Sequence, residues 1–387
     1  MRTVYRRVVL VLCLAALATA CGTDRPAVDA PAETGADTTV AAVAAGARAG
    51  GAAPGPAEPG EPLTTGEPRP LRPLGPVVVP DTTAATTWLG RTVGLAYDLA
   101  ADRLLLLDQV SLAVHEVTPA GRLVRSYGGK TGAGPGELRF ADRFSWSASH
   151  VAIFAIGNGK LVLFDRDNGR FAGEFRTEGH HRDVALLGED RVVLVPGAPG
   201  YVFDVYSIDG TLIASRGDAA ALGVLCDDPG CTRSTVCPHC SVVALGDSLI
   251  VVAETDRTRL VVFDTTGAER AVLDFERDSE LVRGWREEDG PNMTRPEKRG
   301  ELLAVDTKHY FIEFSALPGG WLGIAVTPSR SEWRRIGHEY WRVHPLERRI
   351  ERFRYGGRAV GFRATSGSVV FALASEDEGI YRYAFPE

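Results

Sequence analysis

The stretch LAVHEVTPAGRLVRSYG, Leu112–Gly128, decides the fold of this chain. A β-type run, AVHEV, is followed by the turn Pro119-Ala120-Gly121 and by a second alternating run, LVRSY. Apolar runs on both sides of a glycine-containing turn are typical of a β-hairpin, because glycine adopts the positive φ that tight turns require. The stretch therefore predicts two antiparallel strands joined by a short turn.

The same hairpin unit recurs along the chain. Its other copies are LVLFDRDNGRFAGEF (Leu161–Phe175), YVFDVYSIDGTLIAS (Tyr201–Ser215), LVVFDTTGAERAVLDF (Leu260–Phe275) and YWRVHPLERRIERFRYG (Tyr340–Gly356). Another pair of apolar runs precedes each unit, for example TVGLAYD with DRLLLLD. Four strands per unit, repeated at a spacing of about 40 to 50 residues, predict the blades of a β-propeller.

We therefore expect an all-β fold, a six-bladed β-propeller preceded by a disordered tether. The expected blades span residues 89–128, 142–176, 182–216, 240–275, 307–355 and 358–387. The last blade ends at IYRYAF and lacks an outer strand. Residues near Leu74–Val79 are expected to supply that strand, which closes the ring and removes an exposed sheet edge.

The stretch GGKTGAGPGELRFADRF, Gly128–Phe144, joins the first expected blade to the second. It is similar to the inter-blade linker of bacterial six-bladed propeller lipoproteins of the NHL-like family, in which a Gly-Gly…Gly-Pro-Gly-Glu-Phe pattern leads into the next blade. Leu138 stands where that pattern has Phe. The resemblance covers roughly residues 88–387 and implies a propeller. It does not imply one function, because propellers host many unrelated activities.

The N-terminus has the composition of a bacterial lipoprotein signal. Three arginines lie in MRTVYRR, an apolar run extends over Val8–Ala20, and small residues precede Cys21. The apolar run is about a dozen residues long, which is short for a membrane span. We predict a signal peptide over residues 1–20 and a lipid on Cys21. The alternative is an ordinary secretory signal that leaves Cys21 as a spare thiol, since Ala18 stands where Leu is usual.

Residues 21–75 are rich in Ala, Gly, Pro and acidic residues. Such a segment buries too little apolar surface to offset its ordering entropy, so it predicts a flexible tether. The propeller is then expected over residues 76–387, with insertions at 219–240 and 276–301 that break the repeat. Insertions in repeat folds tend to gather on one face, often the binding face. Helix is expected in the second insertion, around REEDG and RPEKRGELLAV.

The net charge is −7, and the chain has no basic tract after the signal, so a nucleic-acid partner is not expected. No later apolar stretch is long enough to span a membrane, so attachment is expected through the N-terminal lipid alone. The predicted location is the cell envelope, as an exported protein facing the periplasm or the cell surface.

Four cysteines fall within one short segment: Cys226, Cys231, Cys237 and Cys240. In an exported protein such a cluster favours two disulfides, whose pairing the sequence leaves open. The alternatives are a structural zinc site, with His239 as a spare ligand, and a redox-active Cys237-Pro-His-Cys240 dithiol.

His180 and His181 precede the third expected blade, where side chains approach the central channel. They are the candidates for a channel metal, and a solvated loop is the simpler interpretation. No nucleophile, zinc-protease or phosphate-loop motif is present, so no catalytic residue is assigned and no cofactor is expected besides the zinc alternative.

The function expected from these features is a lipid-anchored binding or scaffold module of the cell envelope. Its partner would be a protein, a peptide or a glycan. The alternative is a metal-dependent hydrolase or lyase, similar to lactonases, with its site at the mouth of the channel.

Overall fold

A computed structural model gives the architecture of the chain. It describes residues 63, 65–78, 89–177, 181–198, 200–219, 240–254, 258–289, 311–326, 339–355, 360–365, 368–374 and 379–386. The predicted signal, Cys21 and the tether up to residue 62 lie outside these residues. So do His180 and residues 220–239, which include Cys226, Cys231 and Cys237.

Two short strands precede the repeat, β1 (Arg69–Pro70) and β2 (Arg72–Val78). The first three blades are four-stranded antiparallel meanders. Blade 1 contains β3 (Thr92–Asp98), β4 (Arg103–Asp108), β5 (Ala113–Val117) and β6 (Leu123–Gly128). Blade 2 contains β7 (Ala141–Trp146), β8 (His150–Ala155), β9 (Lys160–Asp165) and β10 (Phe171–Arg176). Blade 3 contains β11 (Asp183–Leu187), β12 (Arg191–Val195), β13 (Tyr201–Ser207) and β14 (Leu212–Asp218).

The remaining blades follow the same plan. Blade 4 contains β15 (Cys240–Leu245), β16 (Leu249–Glu254), β17 (Arg259–Asp264) and β18 (Glu269–Asp274). Two helices follow it, α1 (Phe275–Asp278) and α2 (Glu280–Asp289). Blade 5 contains β19 (Phe311–Ala316), β20 (Leu322–Val326), β21 (Glu339–His344) and β22 (Arg349–Arg354). Blade 6 contains β23 (Val360–Thr365), β24 (Val369–Ala374) and β25 (Ile380–Ala384).

The strand sequences explain this plan. The second strand of a blade is almost entirely apolar and buried, as in RLLLLD of β4, because neighbouring blades cover both of its faces. The outer strand alternates between half-buried and exposed side chains, as in LVRSYG of β6, because one of its faces meets water. Gly210 in the blade 3 hairpin has φ +90°, which favours glycine. A Cβ at this position would also lie 2.4 Å from Phe175 Cβ, so the backbone conformation and the lack of space both require glycine.

Six buried apolar clusters hold the ring together, one at each junction between successive blades. The cluster between blades 1 and 2 includes Tyr127, Leu138 and Ile153. The cluster that joins blade 6 back to blade 1 includes Phe371 and Leu104. The expected six-bladed propeller is thereby confirmed, since the last junction closes the ring.

The N-terminal strands complete the ring, as the sequence predicted for residues near Leu74. β2 pairs antiparallel with β25 and is the fourth strand of blade 6. β1 pairs in parallel with β22, on the outside of blade 5. Leu63 is buried in the cluster between blades 4 and 5. We call residues 63–78 the N-terminal strap.

The strap corrects the expected boundary between tether and propeller. The prediction placed that boundary at residue 75, but the folded part already includes Leu63 and β1. Proline-rich composition suggested a tether, and the structure shows why proline is tolerated here: Pro73 and Pro76 lie in the outermost strand of a sheet.

Both insertions join the outer strand of one blade to the inner strand of the next. The first links β14 to β15, and its residues 220–239 lie outside the described part of the chain. The second begins with α1 and α2, so helix is confirmed for the REED residues, whereas RPEKRGELLAV lies outside the described residues. Among the described residues, no helix combines the length and apolar character that crossing a membrane requires.

Candidate functional site

The innermost strands of the blades surround a central channel. Side chains from β3, β7, β11, β15 and β19 line a cavity of about 980 Å³ there. We call the end of the propeller at which each innermost strand begins the top face, and the opposite end the bottom face. Because every blade is an antiparallel meander, the connections between blades and the turns after each second strand also lie at the top face.

A charged cluster lies at the top mouth of this channel. Arg143 Nε lies 3.7 Å from Asp183 Oδ1, and its Nη1 lies 3.4 Å from Asp142 Oδ1. Ser241 hydrogen-bonds the Asp183 carboxylate through its side chain. These four residues come from the first positions of β7, β11 and β15, so three blades contribute to one polar site.

Asp183 connects these blades through its carboxylate. Oδ1 accepts a hydrogen bond of 2.9 Å from the amide of Val184, and Oδ2 accepts one of 3.1 Å from the amide of Val242. Burial raises the pKa of Asp183 above its ordinary value, although Arg143 and these hydrogen bonds act in the opposite direction. A carboxyl group with a raised pKa in a channel is a candidate for ligand binding or proton transfer.

Replacing Asp183 with Asn is expected to remove a loss of folding stability that grows with pH in the wild type. A raised pKa means that the folded state holds this proton more tightly than the unfolded chain, so wild-type stability falls as the pH rises above about 4. The wild type should therefore lose stability relative to Asp183→Asn between about pH 4 and about pH 7. Urea unfolding at both pH values measures the difference.

The matched control for this prediction is Asp209→Asn. The Ser207 hydroxyl donates to the Asp209 carboxylate and lowers its pKa, so the wild type should gain stability relative to this variant as the pH rises through the acidic range. If the stability of the wild type relative to each variant changed in the same direction with pH for both variants, the assignment of the raised pKa to Asp183 would be wrong.

Two aromatic side chains stand in the channel wall below the charged cluster. Phe144 and Trp146 lie on the same face of β7, with ring centroids 6.2 Å apart and ring planes inclined by 31°. Both are half-buried and line the cavity. Both also pack against the buried cluster between blades 1 and 2, so the core between these blades forms this part of the channel wall.

The bottom mouth of the channel is built from turns. The Glu189 carboxylate accepts hydrogen bonds from Ser147 Oγ at 2.7 Å and from the amides of Ala148 and Ser149 at 2.8 and 3.0 Å. Burial acts to raise the pKa of Glu189, but hydrogen bonds from Ser149, Ser147 and Ala148 outweigh it and lower the pKa to about 2. Glu189 therefore ties blade 3 to blade 2 as a carboxylate.

The structure places only part of the predicted site residues. Cys240 is buried and begins β15, next to Ser241 of the channel cluster. His181 Nδ1 donates a hydrogen bond of 2.8 Å to the carbonyl of Pro196, and its ring meets Tyr206 edge-on. Among the residues described, no group of three or more His, Cys, Asp or Glu side chains is arranged to hold a metal. The metal hypothesis for His180 and His181 stays a prediction.

The channel cluster was not predicted from the sequence, although a signal was present. Asp142, Arg143, Asp183 and Ser241 each lie within two residues of the start of an innermost strand, and the repeat pattern had located those starts. Aligning the blades by these starts would have brought the four residues to one end of the channel.

The side chains that support the glycine-rich linker were not predicted from the sequence either. Lys160 Nζ donates to Gly134 O at 2.8 Å and to Glu174 Oε2 at 2.7 Å, and the same carboxylate oxygen accepts from the Gly136 amide at 2.9 Å. The Glu137 carboxylate accepts from the Gly134 amide, and Leu138 is fully buried. The linker that resembles the NHL-like pattern is thus fixed by an ion pair beneath it.

Comparisons with known proteins support the fold. No family model and no curated protein matches the chain. A putative exported protein from Bacteroides fragilis has a TM-score of 0.51 and 13% identity, covering 82% of this chain and 95% of that one. The structure of U3-55K has a TM-score of 0.50 and 8% identity, covering 80% and 98%. Virginiamycin B lyase from Staphylococcus aureus has a TM-score of 0.45 and 10% identity, covering 80% and 83%. At these identities the similarity shows the propeller fold alone.

Proposed function

We propose that this chain is a lipid-anchored binding module of the cell envelope. A protein, peptide or glycan partner would bind at the top face, around the mouth of the channel. The anchor is the lipid predicted on Cys21, and residues between it and the strap would hold the propeller away from the membrane.

One observation carries this proposal: the insertions and the charged cluster share one end of the propeller. Each insertion begins at the end of an outer strand and ends at the start of an innermost strand, which is the top face. Asp142, Arg143 and Asp183 lie at the same end. Loops grouped around a polar cavity on a rigid scaffold are typical of binding sites.

Cys240, which the structure describes, begins β15 at this face. The disulfide-bonded state of Cys240 supports stapling by disulfides over the structural zinc site. Short cross-linked loops lose less conformational entropy when they order on a partner, which suits a binding role. The pairing among the four cysteines stays a prediction.

Binding is tested with defined panels of peptides and oligosaccharides, using thermal unfolding of the full chain. A ligand that binds the folded state at about 100 times its Kd contributes about 2.7 kcal/mol, a shift of several degrees. We expect at least one panel to contain such ligands. Arg143→Gln should weaken the binding by about tenfold or more, because Arg143 is the cation of the channel mouth.

The matched control for Arg143→Gln is Arg122→Gln, an exposed arginine in a bottom-face turn. It should bind the same ligands as the wild type does. The proposal is wrong if neither panel contains a ligand, or if both variants bind equally well.

A further inference from the structure

The two faces of blades 1–3 carry opposite charge. Among the described residues of these blades, the exposed cations at the top face are Arg91, Lys130, Arg139, Arg176 and Arg182. One exposed carboxylate, Asp218, shares that face. At the bottom face the exposed carboxylates are Asp102, Asp167, Glu189, Asp190 and Asp209, with two exposed arginines, Arg122 and Arg170. A chain of net charge −7 thus has a local basic surface at its top face.

Exposed apolar side chains lie among these cations. They are Val110, Phe140, Ile156 and Tyr201, all at connections or strand ends of the top face. Arg139 precedes Phe140, and the Gly157 amide donates to Arg139 O at 3.0 Å, which brings the turn of Ile156 beside them. We call these cations and apolar residues together the basic arc.

Phe140 is the most informative residue of the basic arc. It is 65% exposed, whereas Leu138 and Ala141 on either side of it are fully buried. Its φ is +56°, in the left-handed region that aromatic residues rarely adopt. Because its ring contributes little burial, packing within the chain does not account for an aromatic residue at a strained position.

We propose that the basic arc binds an acidic protein segment that carries apolar side chains. This inference rests on the proposed function and names the chemistry of the partner. Carboxylates of the segment would pair with the arginines, and its apolar side chains would cover Phe140 and Ile156. Phe140 and Ile156 both stand beside Arg139, an arrangement that fits a segment in which acidic and apolar residues alternate.

The overall charge favours a short segment over an extended anionic surface. Charges interact over about 8 Å at physiological ionic strength, so a bound segment senses mainly the arc. An anionic membrane or a nucleic acid is large enough to sense the rest of the surface, which is net negative and repels it.

The test measures binding of a fluorescein-labelled peptide of alternating Glu and Leu residues to the full chain. Two companion peptides replace Glu by Lys or Leu by Ser. We expect only the Glu-Leu peptide to bind, with an affinity that falls as salt rises. Arg139→Glu and Phe140→Asn should each weaken it about tenfold. Since Asn tolerates the left-handed region, Phe140→Asn should unfold at the same temperature as the wild type or higher.

The controls are Arg122→Glu and Leu346→Asn, which change an exposed cation and an exposed apolar residue in bottom-face turns. Both should bind the Glu-Leu peptide as the wild type does. Tight binding of the Lys-Leu peptide, or of phosphatidylglycerol vesicles in place of peptide, would overturn the acidic-segment inference while leaving a binding module. Equal loss in the control variants would also overturn it. If no peptide binds and the panels above contain no ligand, both proposals fail.

Discussion

A chain that lacks residues 1–80 is expected to be at least about 4 kcal/mol less stable than the full propeller. The deletion removes Leu63 and Leu71, two fully packed side chains worth about 1.5 to 3 kcal/mol each. It also removes the outer strand of blade 6 and leaves the β25 edge open to pairing with other chains. Urea unfolding followed by circular dichroism measures the loss, and light scattering detects association.

The control deletion removes residues 1–56 and keeps the strap. Residues from Ala57 onward form one compact unit, so this shorter deletion should leave the free energy of unfolding unchanged. Equal stability of the two truncated chains would show that the strap does not hold the ring closed. The comparison separates the strap from the rest of the N-terminal segment.

The second large effect is expected at the ion pair beneath the glycine-rich linker. Glu174→Leu should destabilise the propeller by about 3 kcal/mol, because it leaves the Lys160 ammonium buried without its counter-charge. Lys160 is 2% exposed, whereas the Glu174 side chain is 25% exposed and meets water. Lys160→Met should therefore lower the free energy of unfolding by less than Glu174→Leu does. Chemical denaturation of both variants measures this asymmetry.

The double variant Lys160→Met/Glu174→Leu should recover much of the loss, since two apolar side chains replace the buried pair. An exposed ion pair provides the comparison. The side chains of Glu347 and Arg349 are 52% and 61% exposed. Glu347→Gln, which breaks their contact, should change the free energy of unfolding by less than about 1 kcal/mol. Equal losses for Lys160→Met and Glu174→Leu would mean that burial of the ammonium does not determine the cost.

The propeller itself could be predicted because its blades repeat one pattern. Runs such as RLLLLD of β4 are buried on both faces, and local composition is enough to recognise them. The six expected blades agree with the observed strands to within a few residues, for example 89–128 against 92–128 for blade 1. The missing strand of blade 6 followed from the same pattern.

The contacts between blades could not be predicted in the same way. Arg143, Asp183 and Val242 meet only because three innermost strands begin at one end of the channel. Their partners lie about 40 to 60 residues apart in the chain, and no local pattern marks a pair at such a separation. Only the part of the strap before Leu74 was missed, because its proline content resembles a tether, although Leu63 and Leu71 were isolated apolar residues in a segment poor in them.

The separation of charge between the two faces also depends on which end of the propeller each turn or connection occupies. The sequence has no basic tract, because the five cations of the basic arc come from three separate connections, before blade 1, between blades 1 and 2, and between blades 2 and 3. In blades 1–3, turns after the first and third strands carry the exposed aspartates, and connections after the fourth strands carry the cations. Charges of both signs are interspersed along the sequence, and only the alternation of strand direction separates them between the two faces.

The strap has a consequence for the order of events during synthesis. Gly66 accepts a hydrogen bond from Arg352, 286 residues later in the chain, and β2 cannot pair until β25 has been synthesised. Blades 1 to 5 can pair their strands as they emerge, at about 5 to 20 residues per second, but the ring cannot close until β25 is available to pair with β2. A nascent chain of this protein therefore keeps an unpaired strap and an open ring while blades 1 to 5 are synthesised.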